Sequence, residues 1–115
     1  MPLTFAELRH ANDTRQHEWD RDDRIGLLFR ANELAGETGE ACNVVKKLER
    51  ERLNIRGSRA TVAQLAEELA DVVICADLVA QAAGVDLGEA VARKFNATSE
   101  KMGLATRLGE TADAT

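Results

Sequence analysis

A chain of 115 residues is one domain's worth of sequence, long enough to bury a core but short enough that its helices can need a second chain to cover them. The composition is 44% hydrophobic but only 3% aromatic, with a single Pro, which excludes the profile of a sheet protein and points to an all-α fold. A net charge of −5 argues against unaided binding to nucleic acid or to an anionic membrane, although Lys46, Lys47, Arg50, Arg52, Arg56 and Arg59 form a local basic segment.

Thr4 opens "TFAE", a capping-box pattern with Glu7 at the third helical position, and predicts a first helix running to about Glu18. The polar "DRDDR" of residues 20–24 reads as a connection. After it, "IGLLFRANELAGETGEACNVVKKLERER" keeps helical periodicity despite Gly26, Gly36 and Gly39, each of which costs roughly 1 kcal/mol relative to Ala in a helix. Two of these glycines flank acidic residues, and close approach of a backbone or a ligand would account for them. The loop "LNIRGSRA" leads to "TVAQ", a second capping box, and to a third helix ending near Gly84. "DLGE" repeats the capping logic at Asp86 and Glu89 for a fourth helix ending near Gly103. The expected organisation is therefore one helical domain over residues 1–104 and a mobile tail over 105–115.

No N-terminal signal pattern is visible, and Asp71 and Asp77 bracket the most hydrophobic stretch, so a cytoplasmic protein without a membrane span is expected. Cys42 and Cys75 have no close spacing to each other or to His10 and His17, and both read as small core residues.

The second helix carries an anomaly. At 100° per residue, Phe29, Glu33, Glu37, Glu40, Val44 and Leu48 share one narrow stripe, so the acids interrupt an apolar seam. A solvated face with Lys and Arg partners is the common meaning of helical charges, but such a face would not resume as Val44 and Leu48. Carboxylates set in an apolar face are costly unless paired, so the stripe asks for a cation. The third helix repeats the pattern, with Glu68, Asp71, Cys75, Val79 and Ala82 on one stripe. Its other faces are apolar too, which makes it central, while Glu67 and Asp77 point elsewhere.

Two antiparallel helices, each offering carboxylates one turn apart, direct hard oxygen ligands into one space. Such ligands suit Mg²⁺, with Mn²⁺ as a possible substitute. A di-iron bundle would use Glu-x-x-His on its metal-binding helices, and neither acidic stripe carries a His, so iron is disfavoured.

"EtgE" at Glu37 and Glu40, followed by "EELAD" with Glu68 and Asp71, resembles the E-x-x-E … E-x-x-D signature of the MazG-like all-α nucleoside triphosphate pyrophosphohydrolases. "RKFNATSEKMGL", residues 93–104, resembles the lysine-and-asparagine segment that follows the metal helices in that family, and the likeness extends over about residues 5–104. The resemblance implies a four-helix bundle assembled as a dimer or dimer of dimers. It implies cleavage of an NTP or dNTP between the α- and β-phosphates, with Glu37, Glu40, Glu68 and Asp71 as catalytic Mg²⁺ ligands and Lys94 and Asn96 as substrate contacts. Glu33 is additional to the motif: it could orient water, hold another metal, or pair with a nearby Arg.

Trp19 could stack on a nucleobase or pack at an interface, and Asn12 and Arg15, about one turn apart, are weaker candidates for base or phosphate contact. Phe95 reads as core. The competing expectation from another class is a catalytically weak bundle that binds metal and nucleotide and acts through protein partners.

Overall fold

The computed structural model describes residues 2–109, and among them the chain forms four helices and no strand. They are α1 (Phe5–Trp19), α2 (Leu27–Arg52), α3 (Val62–Ala82) and α4 (Leu87–Lys101). Three of the four N-termini are capped by a side chain, at Thr4, Thr61 and Asp86. Thr4 Oγ1 accepts from the Glu7 amide at 3.0 Å, and Asp86 Oδ1 accepts from the Glu89 amide at 3.0 Å. At Thr61 the box closes in both directions, since the Gln64 amide donates to Thr61 Oγ1 at 3.1 Å and the Thr61 amide donates to Gln64 Oε1 at 2.8 Å. The C-termini of α3 and α4 turn through Gly84 and Gly103, whose φ of +71° and +69° few side chains tolerate. Val85 then donates to Ala80 O and Leu104 to Ser99 O, both at 2.8 Å, which satisfies carbonyls the helices leave free. Asn54, with φ +56°, plays the glycine's part at the end of α2.

The antiparallel pair α2 and α3 is the body of the molecule, α1 packs on α3, and α4 rests on α1. As expected, α3 is central. The expected four-helix bundle is not closed within one chain, because the main packing of α4 is against α1 and not against the α2–α3 pair. The radius of gyration, 17.6 Å, exceeds the roughly 13 Å of a compact chain of this length. Apolar side chains are left uncovered as a result: Leu28 is 78% exposed, and Phe29, Val62, Leu69, Val73 and Phe95 are exposed as well. Phe95 therefore departs from the core role its sequence suggests.

The two largest fully buried side chains are charged, Arg30 at 2% and Asp77 at 1% exposure. Asp77 joins α3 to α1. Arg9 Nε donates to both its oxygens at 3.1 and 3.2 Å, Arg9 Nη2 continues to Val85 O at 2.7 Å, and Asn12 Nδ2 donates to Asp77 Oδ2 at 2.9 Å. Asn12 is thus a buried structural residue and not a free contact for base or phosphate. Gln81 on α3 adds a bond to Asp13 on α1. Asp20 shapes the α1–α2 connection by accepting from the Ile25 amide at 2.9 Å and the Arg24 amide at 3.1 Å. These bonds hold its carboxyl below the usual carboxylate range.

Cys75 is buried, as its sequence context suggests, whereas Cys42 is exposed. Cys42 corrects the expectation: with Val45, Leu53 and Ile55 it lines an apolar groove along the end of α2 and the turn after it, to which no other helix among the described residues contributes a lining residue. Past α4 the chain folds back. Asn96 Nδ2 donates to Leu108 O at 2.8 Å, and the Leu108 amide donates to Asn96 Oδ1 at 2.7 Å. Residues 104–109 are thereby fastened to α4, while residues 110–115 of the expected tail lie outside the described residues.

Candidate metal centre

The antiparallel pairing of α2 and α3 brings Glu37 and Glu40 opposite Glu68, with one carboxylate oxygen of each lying within 4.8 Å of the others. Glu37 and Glu68 are half-buried and Glu40 is exposed, so the triad lies at the edge of the contact between the two helices. Glu37 Oε2 and Glu68 Oε2 are buried with no hydrogen-bond partner. Two unpartnered carboxylate oxygens on residues that converge in this way are what a cation would satisfy, so the donor set fits a hard divalent ion.

Electrostatics agrees with the geometry. Burial, and then the neighbouring Glu40, push the Glu37 carboxyl above its ordinary value, with Asp71 and Glu68 adding to the effect. Burial, and then Glu40, do the same to Glu68, followed by Asp71 and Glu67. Asp71 is exposed and stands outside the close triad, yet its charge is felt by both partners. The structure therefore brings three of the four signature acids into ligand distance of one another and leaves the fourth at the edge. Cys75 is buried, its thiol pushed up to about 11 by burial and by Glu33, Glu37 and Asp71, which keeps it protonated and poorly suited as a ligand. Gly36 and Gly39 flank the acids, and a Cβ at either would meet nothing within 4 Å. Among the described residues, no other part of the chain approaches these two glycines.

Glu33 is committed elsewhere. Arg30 Nη1 donates to Glu33 Oε1 at 2.9 Å and Arg30 Nη2 to Gln16 Oε1 at 3.2 Å. Of the alternatives left open by its sequence, pairing with a nearby Arg is the one formed. Gln16 and the full burial of Arg30 are what sequence reasoning missed. The available signal was Arg30 itself, one turn before Glu33.

Trp19 ends α1 at 62% exposure, with the Arg15 guanidinium 5.2 Å from its ring centroid. It shares a shallow depression with Asp20, Arg24, Ile25 and Phe29, and Phe29 is also the first residue of the acidic stripe. Lys94 and Asn96 lie on α4, which packs on α1, so within one chain they are not assembled with the carboxylates. Lys94 is exposed, and the Asn96 amide is occupied by Leu108. Among the described residues no helix is long and apolar enough to cross a membrane.

Residues 29–103 match the sequence model of the MazG nucleotide pyrophosphohydrolase domain. Comparison with curated proteins and with solved structures gives no match.

Proposed function

Since the chain belongs to the MazG nucleotide pyrophosphohydrolase domain family, we propose that it is a Mg²⁺-dependent enzyme that hydrolyses an NTP or dNTP to the monophosphate and pyrophosphate, in the housekeeping of nucleotide pools. The observation that carries this reading is the convergence of Glu37, Glu40 and Glu68 with two buried, unpartnered oxygens. These three acids and Asp71 would hold the metal, Mg²⁺ by preference and Mn²⁺ as a substitute. Bound there, the cation supplies charge neutralisation for the phosphates and orientation for the attacking water.

The remaining work falls to the chain's own side chains. Trp19 offers a flat apolar face beside Phe29, suited to stacking on a nucleobase. Lys94 is a point charge for phosphate. Because α4 leans on α1 and not on the acidic pair, Lys94 would act on a nucleotide held by a second chain, in keeping with a dimer or dimer of dimers. Asn96 would have to release Leu108 before it could touch substrate.

That engagement of Asn96 is the observation favouring the second reading, a catalytically weak bundle that binds metal and nucleotide and acts through protein partners. A panel of NTPs and dNTPs with Mg²⁺, assayed for released pyrophosphate, separates the two. Turnover of at least one nucleotide, abolished by Glu40→Gln, is expected; nucleotide binding without pyrophosphate release would favour the second reading.

A further inference from the structure

Five acids lie along the facing stripes of α2 and α3, and only four belong to the proposed cation cage. The fifth, Glu33, is one turn from Glu37 on the same face and is 32% exposed. An unrestrained Glu33 would be a further oxygen donor beside the cage. It is restrained by Arg30, whose guanidinium is 2% exposed and spans from Glu33 on α2 to Gln16 on α1.

The guanidinium is thinly bonded for so buried a charge. Its Nη atoms donate to Glu33 and Gln16, its Nε is buried without a partner, and its carbon lies 5.9 Å from the Phe29 ring centroid. An ion pair between residues three apart on a helix contributes little by itself, and burying a charge with an unmet donor is costly. A packing role would be met as well by an apolar side chain of similar volume. What an apolar side chain could not do is neutralise Glu33 next to four more carboxylates.

Resting on the metal-site reading above, we propose that Arg30 is a positioning residue of the metal centre, which holds Glu33 out of the cation-binding set so that four carboxylates, and not five, define where the cation sits. With Arg30 present, the cage carries the charge of Glu37, Glu40, Glu68 and Asp71 alone. Remove the guanidinium charge and Glu33 becomes a free anion one turn along the stripe. A divalent ion then binds more tightly but is drawn toward Glu33, away from the place where Glu37, Glu40 and Glu68 converge. The device trades cation affinity for cation position.

Calorimetric titration of the full chain with Mg²⁺ alone tests this. One extra unit of negative charge roughly 8 Å from a divalent ion in a water-like dielectric corresponds to about fivefold in Kd. Arg30→Gln should therefore bind Mg²⁺ about fivefold more tightly than wild type while kcat falls. The Arg30→Gln/Glu33→Gln double variant and the charge-preserving Arg30→Lys should both bind within about twofold of wild type, whereas Glu33→Gln, which leaves the Arg30 charge unpaired, should bind about fivefold more weakly. Gln16→Ala, which loosens α1 but leaves the ion pair, should lower the melting temperature without moving the Kd.

Arg30→Gln binding no tighter than wild type, or a double variant as tight as Arg30→Gln, would overturn the proposal. If Arg30→Gln loses its helical circular dichroism, Glu33→Gln still decides, because weakening well beyond about fivefold and as deep as that of Glu40→Gln would make Glu33 a ligand in its own right. A wild-type protein that takes up no Mg²⁺ would overturn the metal reading along with this one, whereas wild-type uptake with a Glu33→Gln as weak as Glu40→Gln would overturn this one alone.

Discussion

The Glu37 and Glu68 carboxyls are both raised, first by burial and then by Glu40, and this has a consequence for stability. A carboxyl whose folded pKa lies above its unfolded value favours the fold at low pH, and that contribution is lost as pH rises through the folded value. Metal-free protein should therefore melt higher as pH is lowered from neutrality toward the ordinary carboxylate range. Asp20 acts in the opposite sense, but only where pH falls below that range, because its carboxyl is held low by the Ile25 and Arg24 amides. Saturating Mg²⁺ should flatten the trend, since the carboxylates then stay ionised against the cation. Melting curves across this pH interval, with chelator and with Mg²⁺ at matched ionic strength, check both halves; a flat metal-free profile would mean that neither burial nor Glu40 raises these carboxyls. Asp77→Ala should behave differently, costing about 3 kcal/mol by stranding Arg9 and Asn12 while leaving Mg²⁺ affinity unchanged. Denaturant unfolding beside a Mg²⁺ titration separates those effects. The four signature acids were legible in the sequence because helical periodicity sets them on a stripe that turns apolar. Asp77 was legible only as an acid off that stripe, since its partners Arg9 and Asn12 lie more than sixty residues away and no local pattern joins them.

The helices themselves were read within a residue or two at each end, because their boundaries are set by local chemistry: Thr4, Thr61 and Asp86 at the N-termini, Gly84 and Gly103 beyond the C-termini. Thr61 carries the most weight of the three caps, with both directions of its box formed and Glu68 two turns into the helix it opens. Thr61→Ala should cost about 1 kcal/mol in unfolding free energy, and Thr61→Ser should restore most of it. The return of residues 104–109 onto α4 was not legible, because its anchor joins Asn96 to Leu108 across a glycine turn and uses a side-chain amide that a sequence equally offers to substrate. Asn96→Ala should release that segment. Faster hydrogen exchange of the Leu108 amide would register it, and unchanged protection would show that the bond contributes nothing in solution.

The acidic hairpin leaves Leu28, Phe29, Val62, Leu69 and Val73 uncovered, and large apolar side chains left exposed in number favour association. Self-association is the economical remedy, and sedimentation at micromolar concentration should give a dimer or larger species; a folded monomer would contradict it. Which helix faces meet was beyond the sequence, because one chain's periodicity marks an apolar face without saying whether its cover comes from within. In the proposed assembly Lys94 of one chain would act at the acids of another, and catalysis would then belong to the assembly. Whether the carboxylates of α2 and α3 direct water to the bond between the α- and β-phosphates is tested most directly by a ³¹P NMR time course of the full chain with a nucleoside triphosphate and Mg²⁺. Equal growth of monophosphate and pyrophosphate, absent with chelator and absent in Glu40→Gln, is the predicted result. Orthophosphate and a diphosphate as products, or an undiminished rate in Glu40→Gln, would contradict it.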